Sequence, residues 1–270
     1  MGSCISITLI EACKNENDEV ALKMLEHPEL CKLDQVNKYG DTALIWACDK
    51  RLEKVAMKML EHPELCKLGQ FNKNGDTALI LACWKGLDKV ALKILENLEL
   101  CKLDQVDKYG GTALIWACYN GLDKVALKML ENLELCKLDQ VNKNGNTALI
   151  LACREGLEKI ALKILEYPKL CKLDQVSKRG NTALILAKKN NLQNVINKIN
   201  SCNNKTIKPF PIYANNNCVI CIEPNNRYMS IRNCEHYVSI CESCDIGQLI
   251  NCTICRKKID YDTVGYIKAV

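Results

Sequence analysis

Eight residues near the C-terminal end of the chain have the types and the spacing of metal ligands. They are seven cysteines and one histidine within 38 residues: Cys218, Cys221, Cys234, His236, Cys241, Cys244, Cys252 and Cys255. Their order is Cys-x2-Cys, Cys-x-His, Cys-x2-Cys and Cys-x2-Cys. A gap of two residues lets both sulfurs of a pair reach one tetrahedral zinc ion. Four pairs make two complete four-ligand sites, so we expect the segment to bind two zinc ions.

The composition favours a folded protein with reduced cysteines. Of the 270 residues, 48% are hydrophobic and 26% are charged, which provides a core and argues against wholesale disorder. No apolar run approaches the roughly 18 residues that span a membrane, and the N-terminus lacks the pattern of a secretory signal. We therefore expect an intracellular, cytoplasmic protein, in which 19 cysteines serve as metal ligands and small buried side chains rather than as disulfides.

The charge of the chain argues against a nucleic-acid partner. The net charge is only +5, far from the concentrated positive stripe of a nucleic-acid binder. In the zinc segment, the cationic residues cluster only at Arg256, Lys257 and Lys258. A nucleic-acid-binding zinc protein is therefore the least favoured of three hypotheses.

A 35-residue period fills the first 200 positions. Residues 40–45 return unchanged at 75–80, and the pattern recurs from Gly110, Gly145 and Gly180. A first copy lacks the glycine turn, so six repeats result, with irregular terminal units as expected of caps. Each unit is predicted to run as a turn, a helix, a short turn, a second helix and an extended return.

The unit that begins at Gly75 illustrates the pattern. The glycine suits a turn with positive φ, Thr77 can cap the first helix, and Gly86 ends it. Apolar residues recur at helical spacing in both helices and should face the neighbouring repeats: Leu79, Ala82, Cys83, Val90, Ala91, Ile94 and Leu95.

These units resemble the ankyrin repeat. The family signature Thr-Pro-Leu-His-x-Ala appears here as Thr-Ala-Leu-Ile-x-Ala, and the extra length over the usual ~33 residues falls around Glu-Leu-Cys-Lys-Leu. The resemblance covers roughly residues 4–200. It implies a mostly helical ankyrin-repeat solenoid that binds proteins and has no catalytic chemistry of its own.

Ten cysteines belong to the repeat rather than to a metal site. Each of the two rows runs in single file along the stack, so their side chains should not converge on a metal. We expect them to be small buried side chains. The rows are Cys13, Cys48, Cys83, Cys118 and Cys153, and Cys31, Cys66, Cys101, Cys136 and Cys171.

Contacts of ankyrin repeats usually come from the turn tips and the exposed side of the first helix. Two rows are predicted to be exposed there: Trp46, Leu81, Trp116, Leu151 and Leu186, and then Asp49, Trp84, Tyr119, Arg154 and Lys189. All three tryptophans thus map to one predicted concave face. Residues expected to bind a protein target are Trp46, Trp84, Trp116, Tyr119 and Arg154. The alternative is that the rings pack between neighbouring repeats.

A row of turn-tip lysines is either a solvated edge or a surface for an acidic partner.

The ligand order of the C-terminal segment resembles the RING finger. The resemblance implies a cross-braced arrangement of two zinc ions, whose binding supplies the folding free energy of a segment too short for its own core. One zinc would be held by Cys218, Cys221, Cys241 and Cys244. The other would be held by Cys234, His236, Cys252 and Cys255.

RING resemblance implies a ubiquitin ligase that positions a ubiquitin-conjugating enzyme and its ubiquitin without covalent catalysis. Ile220 matches the apolar docking position, and Arg256 matches the arginine that contacts both the enzyme and ubiquitin. The apolar tail resembles those of inhibitor-of-apoptosis RINGs, which help form homodimers. Two features depart from the family: four residues separate His236 from Cys241, and the final cysteine pair lacks the usual proline.

The N-terminus fits a pattern for lipid attachment. Gly2 follows Met1 as in N-myristoylated proteins, and Cys4 could carry a palmitoyl group. Two acyl chains would anchor the protein stably to a membrane. Membrane association is expected only if this acylation occurs.

The sequence thus predicts a solenoid at 1–200, a linker at 201–215, a RING-type zinc finger at 216–260 and a tail at 261–270. The leading hypothesis is a RING-type ubiquitin ligase whose repeats bind the target. It resembles ankyrin–RING ligases, including those of large DNA viruses, for which the location would be the host cytoplasm. The alternative is a non-enzymatic ankyrin adaptor with a structural zinc module.

Overall fold

The computed structural model describes residues 7–206 and three stretches of backbone at 227–231, 236–239 and 265–268; side chains are described for residues 7–202. The chain divides into two compact units, residues 1–203 and 204–270. The first unit is helical, and the described part of the second is a small sheet.

Residues 7–206 form six pairs of short helices, as the 35-residue period predicted. The first helices of the pairs are α1 (Leu9–Lys14), α3 (Ala43–Asp49), α5 (Ala78–Lys85), α7 (Ala113–Tyr119), α9 (Ala148–Arg154) and α11 (Ala183–Lys189). The second helices are α2 (Asp18–Met24), α4 (Glu53–Met59), α6 (Asp88–Ile94), α8 (Asp123–Met129), α10 (Glu158–Ile164) and α12 (Gln193–Thr206). Each first helix packs on the first helix of the next repeat, and α2 to α10 pack in the same way. The predicted helical solenoid is confirmed.

A threonine caps the start of every first helix from α3 onward, and it is buried at all of these helices except α11, where it is half-buried. Thr77 Oγ1 accepts a hydrogen bond from the amide of Ile80 at 3.1 Å, which satisfies one of the free amides at the helix start. The same cap is made by Thr42, Thr112, Thr147 and Thr182. The predicted role of Thr77 is confirmed.

The apolar stripes form one core that runs the length of the stack. The inward-facing residues predicted for the unit at Gly75 are all at most 2% exposed. Nine of the ten repeat cysteines are buried, and Cys101 is half-buried. Within the described part of the chain, no three His, Cys, Asp or Glu side chains converge to hold a metal ion. The repeat cysteines therefore act as small packing residues.

The predicted extended return after the second helix is wrong. Short 3-10 turns follow four of the second helices, at Pro28–Leu30, Pro63–Leu65, Leu95–Leu100 and Leu133–Leu135. The cysteine after the turn donates its thiol to a carbonyl seven residues earlier, as Cys66 Sγ does to Met59 O at 3.2 Å. The chain therefore folds back on the helix end instead of extending.

The helical unit also continues past residue 200, where the sequence predicted a linker. Helix α12 runs to Thr206. Val195, Ile199 and Cys202 recur at helical spacing and are buried against the preceding repeat, so the asparagines between them occupy the outer side of the helix. None of the helices that the structure describes has the length and apolar character needed to cross a membrane.

The described backbone of the second unit is an antiparallel sheet of three strands in the order β2-β1-β3. The strands are β1 (Arg227–Ile231), β2 (His236–Ser239) and β3 (Gly265–Lys268). Ile231 lies opposite His236 at the end of the β1–β2 hairpin. Strand β3 lies in the segment predicted as a tail and pairs with β1 of the same chain.

Replacing Thr147 tests the repeated cap. Thr147→Ala leaves the buried amide of Ile150 without its acceptor, so we expect it to lower the free energy of unfolding by about 1 kcal/mol. Thr147→Ser keeps the hydroxyl and should recover most of that loss. Urea denaturation followed by circular dichroism measures both. Equal stability of the alanine variant and the wild type would contradict a stabilising role for the cap.

Candidate functional site

The turn tips and the first helices together form one surface of the stack, here named the turn–helix face. The first of its two predicted exposed rows is not exposed: Leu81, Leu151 and Leu186 are buried, and Trp46 and Trp116 are half-buried against the core. Each of these helices packs against a neighbouring first helix, which covers that position. The second row stays open, with Trp84 39% and Tyr119 45% exposed.

Four aromatic side chains from neighbouring repeats form an aromatic cluster on this face: Trp84, Tyr109, Trp116 and Tyr119. The ring of Trp84 lies 6.0 Å from that of Trp116 and 6.5 Å from that of Tyr109. Trp116 meets the edge of Tyr119 at 5.7 Å. Such pairs are attractive beyond the area they bury. Tyr109 was not predicted as a site residue from the sequence, although an aromatic residue at a turn tip could have indicated it.

Asp107 and Gly111 hold the Trp116 ring in place. The indole Nε1 of Trp116 donates to Asp107 Oδ2 at 2.8 Å. The other carboxylate oxygen accepts the amides of Tyr109 and Gly111, both at 2.8 Å. A Cβ at Gly111 would lie 2.4 Å from Trp116 Nε1, so the ring needs glycine there. Neither positioning residue was predicted from the sequence.

Trp46 occupies the equivalent position two repeats earlier but lacks this support. Asn37 replaces Asp107 and accepts the same two backbone amides through Oδ1. Its Nδ2 donates to Asp41, so it offers no further acceptor. Among the described residues, Trp46 Nε1 is the buried side-chain nitrogen that has no hydrogen-bond partner. Buried donors without a partner are uncommon in folded proteins, so Trp46 is held less firmly than Trp116.

Cations lie over the rings of this face. Lys85 Nζ is 4.6 Å from the centre of Trp84, and the Arg154 guanidinium is 4.9 Å from that of Tyr119. Lys108 and Lys14 sit over Tyr109 and Trp46 at 5.2 and 5.7 Å. Each contact is worth roughly 0.5–1 kcal/mol where exposed. The rings therefore form an apolar surface with positive charge at its edges.

A groove of about 470 Å3 opens beside the aromatic cluster. Its walls include Tyr39, Trp46, Trp84 and Tyr109. Three carboxylates and three ammonium groups line it: Asp41, Asp49, Asp76, Lys14, Lys73 and Lys108. The groove thus has balanced charge, and its shape and rings suit a side chain or short segment of another molecule.

Asp76 lines this groove, and its surroundings disfavour the ionised form of its carboxyl group. Burial raises its pKa, and the Asp107 carboxylate of the next repeat raises it further. The equivalent Asp41 instead faces Asn72, which donates to it at 2.9 Å. Replacement of that asparagine by Asp107 therefore places two carboxylates together at one repeat boundary.

Of the residues predicted to bind a target, Trp84, Trp116, Tyr119 and Arg154 are brought together in and beside the aromatic cluster. Trp46 lines the same groove as Trp84. These positions agree with a binding face, but their role in binding stays a prediction.

The other predicted site residues fall elsewhere in the chain. Seven of the zinc ligands lie outside the described residues: Cys218, Cys221, Cys234, Cys241, Cys244, Cys252 and Cys255. His236 is the first residue of β2, where only the backbone is described. Ile220, Arg256, Gly2 and Cys4 also lie outside the described residues.

Comparisons with known proteins agree with the fold of the stack. A family model described as ankyrin repeats matches in three overlapping copies, over residues 9–104, 64–139 and 91–175. No curated protein sequence matches the chain.

Two solved structures are similar in fold. One is a chain from the complex of Bd0816, a predatory endopeptidase of Bdellovibrio bacteriovorus, with immunity protein Bd3460; its TM-score is 0.51 at 24% identity, covering 73% of this chain and 98% of that chain. The other is EF0377, an ankyrin repeat protein, with a TM-score of 0.52 at 22% identity, covering 72% and 96%. At these identities the likeness shows the fold alone.

Asp76→Asn tests the paired carboxylates. Because the pKa of Asp76 is raised in the folded state, its ionised form destabilises the fold at pH values above that pKa. We expect the variant to unfold at higher urea concentration than the wild type at about pH 7. The difference should shrink as the pH falls from the raised folded pKa toward the ordinary pKa of the unfolded chain, because Asp76 is neutral in both states only below the latter.

Asp41→Asn is the matched control. Asp41 accepts hydrogen bonds from Asn72 and Asn37, and an amide there would turn its NH2 group toward one of these donors. The control should lose about 1 kcal/mol of stability. If Asp76→Asn is no more stable than the wild type at neutral pH, the two carboxylates do not oppose folding.

Proposed function

The chain belongs to the ankyrin-repeat family, and on that premise we propose that its turn–helix face captures a protein partner through the aromatic cluster. Ankyrin repeats bind protein partners, and a stack of this kind is suited to protein–protein interaction. The observation that carries the proposal is the exposure of Trp84 and Tyr119 within a set of contacting rings. Trp, Tyr and Arg are the residues most often found at the energetic centre of interfaces.

The geometry also favours rigid presentation of these rings. Trp116 is fixed by Asp107 and packs on both Trp84 and Tyr119. A partner would therefore meet side chains whose rotamers are already restricted. Such pre-organisation reduces the entropy lost on binding.

For the C-terminal segment we propose a RING-type zinc module that makes the protein a ubiquitin ligase. The donor set of seven thiolates and one imidazole fits zinc, and its order of pairs supports the RING arrangement. His236 begins strand β2, and Cys234 precedes it by two residues in the sequence.

In this proposal the zinc ions hold the module together, and the chain's own side chains do the recruiting. Ile220 would contact the ubiquitin-conjugating enzyme. Arg256 would hydrogen-bond both that enzyme and ubiquitin. The partner captured by the repeats would supply the lysine that attacks the ubiquitin thioester, so the gain comes from positioning.

A non-enzymatic adaptor is the second candidate function. Four residues between His236 and Cys241, and the missing proline between Cys252 and Cys255, both depart from the RING pattern. The proline departure falls in the loop that would contact the conjugating enzyme. An adaptor would keep the zinc module for stability and use only the repeats for binding.

An autoubiquitination assay with a panel of conjugating enzymes separates the two. We expect the full-length wild type to form ubiquitin chains and to contain two zinc ions per chain by elemental analysis. Arg256→Ala should keep its zinc but lose the chains, because it removes the contacts with the conjugating enzyme and ubiquitin but no zinc ligand. Cys221→Ser should lose zinc and chains together.

Cys118→Ala is the control for loss of a cysteine, since Cys118 is buried in the repeats. It should retain the zinc content of the wild type. A wild type that binds two zinc ions but is inert with every conjugating enzyme would favour the adaptor. Absence of zinc would contradict both forms of the proposal.

Partner capture is tested at the exposed rings. Trp84→Ala with Tyr119→Ala should reduce recovery of cross-linked partners by roughly tenfold or more, because truncating hot-spot aromatics costs 2 kcal/mol or more. Tyr167→Ala removes an equally exposed ring after α10 and should have no effect. Quantitative mass spectrometry of the captured proteins measures the difference, and circular dichroism checks that helicity is retained. Equal loss in the control would show that the aromatic cluster is not the binding site.

A further inference from the structure

Equivalent positions on the turn–helix face lose their acidic residues along the stack, and one of the two rows ends in basic residues. The residue after each turn glycine is, in order, Asp41, Asp76, Gly111, Asn146 and Asn181. The residue at the end of each first helix is, in order, Asp49, Trp84, Tyr119, Arg154 and Lys189. Both rows lose carboxylates in the same direction, with the aromatic cluster in the middle.

The later repeats form a second depression of about 590 Å3, here named the basic pocket. Three cations and one carboxylate line it: Arg154, Lys178, Arg179 and Glu155. Arg154 is already paired with Glu155 at 2.6 Å. Among the described residues, no carboxylate lies within ion-pair distance of Lys178 or Arg179. The basic pocket therefore has uncompensated positive charge, unlike the groove beside Asp76.

The basic pocket is continuous with the aromatic cluster. Tyr119 belongs to the cluster and also lines the pocket. Packed helices lie about 8–10 Å apart, and an extended chain rises about 3.3 Å per residue. One repeat thus corresponds to about three residues of an extended ligand. Lys178 and Arg179 precede α11, two repeats after Trp116 and three repeats after Trp84. A segment with a side chain on Trp84 and Trp116 would therefore reach these cations about six to nine residues further on.

We infer that the turn–helix face binds an extended protein segment with an apolar anchor followed, about six to nine residues away, by acidic residues. The apolar anchor contacts the aromatic cluster, and the carboxylates pair with Lys178 and Arg179. This inference rests on the proposed capture of a protein partner and specifies its chemistry. A nucleic acid fits less well, because Asp41, Asp49 and Asp76 line the same face and would repel a continuous row of phosphates.

Selection from a displayed library of random peptides of about twelve residues tests the inference on the full-length protein. We expect enriched peptides to carry Asp or Glu about six to nine residues from an aromatic or large aliphatic residue. Synthetic peptides with those acids replaced by Asn or Gln should bind at least tenfold more weakly. Affinity for the acidic peptides should also fall as salt rises from about 0.1 to 0.5 M, since exposed charges are screened.

Lys178→Glu with Arg179→Glu should abolish the acidic preference and enrich basic peptides instead. Lys124→Glu with Lys159→Glu is the control, because these exposed lysines on α8 and α10 give the same change in net charge. It should leave the preference intact. An equal effect of both variants would show that only net charge matters and would overturn the inference.

The remaining outcomes separate the inference from the proposed function. Enriched peptides that need Trp84 but carry no acidic residues would overturn the charge inference and leave partner capture standing. Peptides that are insensitive to Trp84→Ala, or no enrichment at all, would contradict both. Tighter binding of a single-stranded oligonucleotide than of any selected peptide would replace the protein partner by a nucleic acid.

Discussion

The close approach of successive turn tips sets the geometry of the stack. A Cβ on Gly75 would lie 2.3 Å from the carbonyl oxygen of Val106 in the next repeat, and glycine also permits the positive φ of +80°. Across this gap the amide of Lys108 donates to the carbonyl of Asn74, and Lys73 does the same to Tyr39. These backbone bonds fix the spacing of the repeats. The first helices follow at that spacing, which brings the Trp84 and Trp116 rings to 6.0 Å.

The repeats share one backbone arrangement, so residue differences at single equivalent positions determine which side chains the surface presents. Asp107 in place of the asparagine found at position 72 anchors Trp116 and so completes the aromatic cluster. The same carboxylate faces Asp76, whose pKa it helps to raise, whereas Asn72 donates to Asp41. Asp107 therefore orders the aromatic cluster and, by facing Asp76, weakens the adjoining repeat boundary. Such a loss of stability is expected where a proposed binding site is optimised for binding.

Features set by local periodicity could be predicted from the sequence, because one repeat contains all the information they need. The threonine caps and the buried stripe of Leu79, Ala82 and Cys83 are of this kind. The half-buried state of Trp116 was not predictable in the same way, since it depends on a neighbouring helix and on Asp107, nine residues away. The end of α12 was missed because asparagines on its outer side hide the spacing of Val195 and Ile199. The metal-ligand pairs lie outside the described residues, so their spacing alone supports the zinc prediction.

The chain has two compact units. The interactions that stabilise the stack differ from those that would stabilise the proposed zinc module, and this bears on how their proposed functions combine. Stability in the stack is the sum of contacts between neighbouring repeats, so the central repeats that carry Trp84 and Tyr119 are supported from both sides. The neighbouring repeats of α3 and α9 supply that support without contributing rings to the aromatic cluster. In the proposed zinc module, metal binding rather than apolar burial would supply the folding free energy. A change at the aromatic cluster is therefore local to the repeats, so in the proposed function the choice of partner could vary while the proposed zinc module stays the same.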